Sequence, residues 1–311
     1  MNKIFTLAIP VKNEESNIIE LESKVNVIIS QVKLRGFEIE VLINDNGSTD
    51  GSEILLRNWS SRDARIILNV LNHPISFQQS IQNMMKKANG DLFSIYQSDM
   101  QDPSEMIISM IDKHLENGNI VGAVITERDG SILNKLIRKS FYIILTRVSD
   151  SKMAIGLQDF YVLPKDVYKD LAELSPEGLF LRGHIASRFG KVDYLPYKRF
   201  PRISGKSNFN FAAKYTFALD GILLFGTRMI RMISVSSFII FTLSLFSIFV
   251  WLLSYTFGFR APVKGFTSLI VGILVLISLI GMAVGLILEY LIRIYRHQIF
   301  DNRLFTDSRK I

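Results

Sequence analysis

Five polar side chains stand just beyond short apolar runs, and they are the groups in this chain best placed to do chemistry. Ile4 to Ile9 leads to Pro10, Asn13 and Glu14; Ile39 to Ile43 leads to Asp45 and Asn46; Leu92 to Tyr96 leads to Asp99. Carboxylates and amides bind ligands through hydrogen bonds, and open parallel sheets take their ligands at the carboxyl ends of the strands. The clusters are therefore expected to converge on one crevice. Taken singly, Asp45 and Asp102 read as turn and cap residues; recurrence at successive strand ends favours a site. Other chemistries are excluded by composition: with no cysteine there is no thiolate zinc site, disulfide or cysteine nucleophile, and His73, His114, His184 and His297 show no metal-ligand spacing.

The elements that must position these groups alternate between strand and helix. Ile18, Leu21, Val25, Ile28, Ile29 and Val32 recur at helical spacing, with Ser16 as the expected N-cap and Gly36 as the stop. Ile66 to Leu71 reads as a further strand. Asp102 as N-cap, Pro103 at the first helical position and Glu105 in the first turn open another helix. The pattern implies an α/β class with a mostly parallel sheet.

The chain has 311 residues, 48% of them apolar and 21% charged, so the apolar excess must be concentrated. It lies in the C-terminal third. Residues 232–259 and 266–288 carry no charged side chain, each longer than the roughly 20 residues a bilayer core requires. Only Arg260 to Gly265 separates them, which predicts a transmembrane hairpin with both termini on one side. Arg228, Arg231, Arg293, Arg296, Arg303, Arg309 and Lys310 flank it, against Arg260 and Lys264 in the turn, so the positive-inside rule places both termini in the cytoplasm. No cleavable signal pattern is read at Met1 to Phe5. The formal charge is +7, and the stretch from Lys198 to Arg231 holds seven basic residues against the single acid Asp220. Beside a membrane span such a cluster reads as attraction to anionic headgroups, about 1 kcal/mol per basic residue. No nucleic-acid-binding motif accompanies it, and no nucleic-acid partner is expected.

Three motifs in order carry a resemblance: Ile9-Pro10-Val11-Lys12-Asn13-Glu14-Glu15, Asp45-Asn46-Gly47-Ser48-Thr49-Asp50-Gly51, and Asp99-Met100-Gln101-Asp102-Pro103. Together they resemble the inverting GT-A glycosyltransferases of family 2, with a Rossmann-like, mostly parallel sheet. Gln158-Asp159-Phe160, Phe180-Leu181-Arg182-Gly183, the stretch from Arg199 to Phe209 and the C-terminal hairpin narrow the likeness to the polyprenyl-phosphate glycosyltransferases. Dolichyl-phosphate mannosyltransferases and bactoprenol glucosyltransferases are of this type.

The resemblance implies that Pro10, Asn13, Glu14, Asp45 and Asn46 seat the base and ribose of a nucleotide-sugar, UDP ahead of GDP, with Asp45 accepting a base N–H. It also implies a divalent cation, Mg²⁺ or Mn²⁺, on the donor diphosphate, with Asp99 and Gln101 as ligands. The chain departs from its family where the first carboxylate of that site is expected. There it carries Gln97, which brings an oxygen and no charge, so the cation should bind more weakly, with basic side chains able to take over part of its role. A second departure is Asn72 to Gln79, where relatives carry an Asn-x-Gly run and where donor preference could differ. Asp159 matches a family acid that either orients the sugar or acts as a base. Asp99 and Asp159 are the expected catalytic residues.

From the charge map, Lys135, Arg138, Lys139, Arg199, Arg202 and Lys206, with the Ser207 hydroxyl, are expected around the phosphate of a polyprenyl acceptor. Gly205-Lys206-Ser207 lacks the spacing of a Walker A loop. The implied organisation is a cytoplasmic GT-A catalytic domain at 1–210, a basic amphipathic segment at 211–231, spans at 232–259 and 266–290, and a basic cytoplasmic tail at 291–311. That makes a multi-pass protein of the inner membrane. The implied reaction moves a hexose from a nucleotide-sugar to undecaprenyl phosphate with inversion, for modification of a cell-envelope glycan such as lipopolysaccharide. A flippase and a downstream glycosyltransferase are partners by analogy. Gly272, Gly281, Ala283 and Gly285 would permit close helix packing within the hairpin or in a homo-oligomer. A processive polysaccharide synthase is disfavoured because Gln-x-x-Arg-Trp is absent. Gln97 keeps a catalytically degenerate membrane scaffold as the alternative, beside transfer to another lipid acceptor.

Overall fold

The computed structural model describes residues 3–127, 156–174, 181–189, 191–200, 227–257 and 266–300. The chain divides into two compact units, one holding the sheet and its helices and the other the two long apolar helices.

In the first unit, strands β1 (Lys3–Val11), β2 (Phe37–Asp45), β3 (Ile66–Val70), β4 (Leu92–Ile95), β5 (Ile120–Glu127), β6 (Leu157–Pro164) and β7 (Val192–Lys198) form one mixed sheet. Their order is β3-β2-β1-β4-β6-β5-β7. β3, β2, β1 and β4 run parallel, β6 is antiparallel to both β4 and β5, and β7 is parallel to β5. The strands predicted at the three polar clusters are therefore three central neighbours whose carboxyl ends share one edge.

Among the described residues, six helices cover the two faces: α1 (Ile18–Leu34), α2 (Ser52–Arg62), α3 (Phe77–Lys87), α4 (Ser104–Asn117), α5 (Lys165–Ala172) and α6 (Leu181–Arg188). Strand alternation decides which face each residue serves. Phe5, Leu7 and Ile9 meet Leu21, Val25 and Ile28 of α1, Trp59 of α2 and Ile107 of α4 on one side. Ala8, Leu42, Phe93 and Ile95 meet Ile81 and Met84 of α3, Tyr168 of α5 and Ile185 of α6 on the other. Each fully buried Leu, Ile or Val contributes about 1.5–3 kcal/mol, so this period-two pattern fixes the strand registers.

All six apolar positions expected on α1 are buried. Gly36 ends it with φ +79°, a left-handed conformation that disfavours side chains with a Cβ. The start differs from the expectation. Ser16 lies within a short 3-10 turn, Glu15–Asn17, and Asn17 occupies the N-cap without a side-chain capping bond. At α4 the N-cap is Pro103, not Asp102. The Asp102 carboxylate is drawn instead to Tyr197 and Arg199, since a charged partner outweighs a cap.

The second unit pairs α7 (Thr227–Thr256) with α8 (Phe266–Phe300). Within them Ser234–Ser254 and Val271–Leu291 are long and apolar enough to cross a membrane. The buried Ser278 hydroxyl lies 2.8 Å from the Ser244 hydroxyl and 2.6 Å from the Leu274 carbonyl. Gly281 and Gly285 face Ser237 and Ser234 across the helix pair, and a Cβ at Gly285 would stand 3.2 Å from the Ser234 Cα. Gly272 has open space around it.

Candidate functional site

At the carboxyl ends of β1 and β2 the following loops are joined by side chains that satisfy each other's backbone donors. Asn13, a non-glycine residue at φ +55°, accepts the Thr49 N–H on Oδ1 at 2.7 Å and donates its own N–H to the Ser48 hydroxyl at 3.0 Å. The Glu14 N–H donates to the Ser52 hydroxyl at 2.9 Å, the Glu15 N–H to Asp50 at 3.1 Å, and the Gly51 N–H to Glu15 at 3.0 Å. Burial would raise the Asp50 carboxyl, but the bonds from Ser52 and Glu15 prevail and hold it below the usual carboxylate range.

Asp45, directly opposite Val11 in the register, has no solvent exposure. Its Oδ1 accepts from the Ser48 N–H at 3.1 Å and from the Ser48 hydroxyl. Its Oδ2 is buried with no hydrogen-bond partner among the described residues. An acceptor left open in this way costs stability unless a ligand completes it. Asn46 is spent differently: its amide donates to the Ile75 carbonyl at 2.7 Å and accepts the Ile75 N–H at 2.8 Å, fastening the segment that leads into α3.

Beyond β4, the Ser98 hydroxyl donates to the Pro10 carbonyl at 3.0 Å, tying this loop to the end of β1. Met100 has φ +49°. Asp99 accepts the Gln101 N–H at 3.3 Å, and the Gln101 side-chain amide donates to the Phe200 carbonyl at 3.3 Å. Arg199, just past β7, enters the same cluster. Its Nη2 donates to Gln97 Oε1 at 2.9 Å and lies 3.7 Å from Asp99 Oδ2, while its Nε lies 3.1 Å from Asp102 Oδ1. The site is electronegative around this guanidinium. Burial first, then the charges of Asp102, Glu105 and Asp99, push the Tyr96 phenol up, so Tyr96 stays neutral.

A third group forms on β6. Asp159 receives Arg182 of α6 at two points, Nε to Oδ1 at 3.1 Å and Nη2 to Oδ2 at 3.4 Å, and the Gln78 amide of α3 at 3.2 Å. Gln78 Oε1 is buried without a partner among the described residues.

The structure thus brings together Pro10, Asn13, Glu14 and Asp45 as one group and Gln97, Asp99 and Gln101 as another, bridged by Ser98. It places Arg199, expected on an acceptor phosphate, beside Gln97 and the two aspartates. Lys135, Arg138, Lys139, Arg202, Lys206 and Ser207 lie outside the described residues. Arg182 and Gln78 were not singled out from the sequence as site residues. The Phe-Leu-Arg-Gly motif and the departure at 72–79 were the signals that contained them.

Residues 6–172 match the family described as Glycosyl transferase family 2. This chain belongs to glycosyltransferase family 2. It is 29% identical over 300 residues to the bactoprenol glucosyl transferase of Shigella phage SfV, covering 93% of this chain and 94% of that one. It is 27% identical over 298 residues to the prophage bactoprenol glucosyl transferase homolog of Escherichia coli K12, covering 93% and 94%. Among solved structures, glucosyl-3-phosphoglycerate synthase from Mycobacterium tuberculosis in complex with UDP aligns with TM-score 0.50 and 12% identity, over 71% of this chain and 80% of that chain. The same enzyme in complex with Mn²⁺, UDP and glucosyl-3-phosphoglycerate aligns with TM-score 0.50 and 13% identity, over 72% and 80%. The family-2 sheet described above is accordingly a GT-A-like fold.

Proposed function

We propose that this family-2 glycosyltransferase moves a hexose from a nucleotide-sugar, UDP-linked in the first instance, to the phosphate of a membrane polyprenyl carrier such as undecaprenyl phosphate. The observation that carries the donor half is the open, buried oxygen of Asp45 at the carboxyl end of the central strands. The names of the phage and prophage relatives support the acceptor half. In this reading an acceptor phosphate oxygen attacks the anomeric carbon in line, the bond from that carbon to the diphosphate oxygen breaks, and the nucleoside diphosphate leaves with inversion. The attacking oxygen is anionic near neutral pH, so positioning and leaving-group stabilisation carry most of the rate.

Asp45 accepts a base N–H, and Pro10, Asn13 and Glu14 wall the nucleoside, with Asn46 holding the segment before α3 in place. Asp159 orients the sugar; Arg182 and Gln78 already engage both of its oxygens, which favours orientation over proton abstraction. Lys135, Arg138, Lys139, Arg202, Lys206 and Ser207 meet the acceptor phosphate. Residues 1–210 form the catalytic part, 211–231 its basic link, and 232–259 and 266–290 the spans of an inner-membrane protein with both termini and the tail at 291–311 in the cytoplasm. The product then passes to a flippase and a second transferase of cell-envelope glycan assembly.

The oxygens of Asp99, Gln97 and Gln101 are hard donors that suit Mg²⁺ or Mn²⁺. Among the described residues, no three His, Asp or Glu side chains converge on a metal position. The set therefore fits a cation held weakly and jointly with the diphosphate. When bound, such a cation supplies charge to the leaving group.

The test is incubation of detergent-purified full-length protein with undecaprenyl phosphate and a panel of UDP- and GDP-sugars, reading lipid-linked sugar by mass. Transfer from one donor is expected, with Asp99→Ala inactive while its helices still insert. Full activity of Asp99→Ala would overturn the assignment of the site to Asp99, and lipid-phosphate binding without transfer from any donor would overturn the reading in favour of a scaffold.

A further inference from the structure

The tip of β4 holds a fixed cation of its own. Gln97 Oε1, Asp99 Oδ2 and Asp102 Oδ1 surround one guanidinium, that of Arg199, at 2.9, 3.7 and 3.1 Å. The group is enclosed: the side chains of Arg199, Asp99 and Asp102 are 11%, 9% and 1% exposed. Among the described residues, two carboxylates and one guanidinium leave a single negative charge in the cluster. A dication on Asp99 would share that carboxylate with a positive group already beside it, and Gln97 offers no charge in return. The neutral residue at 97 is matched to the guanidinium, because an amide oxygen accepts its N–H without adding a third anion to a buried cluster.

Arg199 also retains capacity. A guanidinium has five N–H donors in a planar fork suited to phosphate. Its Nη1 donates no hydrogen bond among the described residues. Arg199 follows β7 directly, and the backbone bond from the Phe200 N–H to the Gln101 carbonyl at 2.9 Å pins that end of the chain to the β4 loop. The cation is thus delivered to the site by the backbone and needs no assembly from solution.

We infer that Arg199 is the resident cation of the donor site, supplying to the nucleoside diphosphate most of the positive charge that a tightly bound divalent metal would otherwise provide. This rests on the nucleotide-sugar reading above. It predicts that nucleotide binding outlasts chelation, and that Arg199 and a metal compete for Asp99.

The experiment measures binding to full-length protein in detergent. UDP and GDP are titrated calorimetrically in EDTA and in Mn²⁺, and Mn²⁺ alone is titrated by electron paramagnetic resonance. Wild-type affinity for the preferred nucleotide is expected to change by less than about tenfold between EDTA and Mn²⁺, where loss of a charge-assisted contact to the diphosphate costs about 10–100-fold. Arg199→Gln is expected to weaken nucleotide binding in EDTA by at least about tenfold, to recover it in Mn²⁺, and to bind Mn²⁺ alone more tightly than wild type. A gain of Mn²⁺ affinity is not an outcome of misfolding. Arg199→Lys, which keeps the charge without the fork, is expected to fall between the two. Wild-type binding that disappears in EDTA overturns the inference without any variant, as does Arg199→Gln protein with unchanged affinity in EDTA. If neither nucleotide binds wild type under any condition, the donor reading fails, and the Mn²⁺ titrations still decide whether Arg199 excludes a metal from Asp99.

Discussion

Asp159 and Arg182 face each other as a two-point ion pair, Nε to Oδ1 at 3.1 Å and Nη2 to Oδ2 at 3.4 Å, with side chains 7% and 15% exposed. A pair this enclosed is costly to break from one side, about 3–5 kcal/mol, because the remaining charge is stranded. Asp159→Ala and Arg182→Ala are each expected to lower transfer by about 100-fold or more, and the double variant to be no worse than either single. Initial rates of lipid-linked sugar formation, with melting temperatures in parallel, test this. Additive losses would mean that the two residues act separately.

The open oxygen of Asp45 gives a second prediction. Asp45→Asn keeps the size of the side chain and its acceptor for Ser48 but turns the open acceptor into an N–H₂ donor. Nucleotide affinity should fall by about 10–100-fold, the equivalent of one charge-assisted hydrogen bond, with little change in melting temperature. Calorimetric titration of UDP and GDP reads it directly.

The helix pair offers a control on itself. A Cβ at Gly285 meets the Ser234 backbone, whereas one at Gly272 meets nothing within 4 Å. Gly285→Leu is expected to lower thermal stability in detergent, and Gly272→Leu to leave it unchanged. Equal effects would argue that Gly272 faces a second copy of the chain.

Acid sensitivity follows from the lowered carboxylates. The hydrogen bond from Arg35, opposed by burial and helped by its charge, holds the Asp112 carboxyl low; Arg65 does the same for Asp63. A carboxyl lowered by folding contributes stability that is fully present above its unfolded value, about pH 4, and is lost as pH falls through the folded value. Melting temperature should therefore be flat from neutral pH to about pH 5 and decline below about pH 4, with the decline shallower in Asp112→Asn. An unchanged slope in that variant would remove Asp112 from the account.

The parallel half of the sheet was legible in the sequence because strand and helix periodicities each match one buried face, and Ile18 through Val32 shows this most clearly. The convergence of Asn13, Asp45 and Asp99 was legible for the same reason, since parallel strands put their ends on one edge. What local spacing could not carry were contacts across the β4-β6-β5-β7 half, where strand direction reverses twice. Gln97 meets Arg199 across 102 positions and Asp159 meets Gln78 across 81, and nothing near either residue in the chain announces its partner. The local context of Asp102 satisfies the pattern of a helix cap, and Tyr197 and Arg199, brought by β7, change its use.

The stitching between the two loops at Asn13 and Asp50 has a consequence for how a ligand is received. The amide hydrogens of Asn13, Glu14, Glu15, Thr49 and Gly51 are each claimed by a side chain of the opposite loop. The two loops are therefore joined during folding rather than on contact, and little chain freedom is left there for a ligand to remove. In hydrogen exchange these amides should be as protected in empty protein as in the nucleotide complex, the behaviour of a rigid cradle rather than of a closing flap.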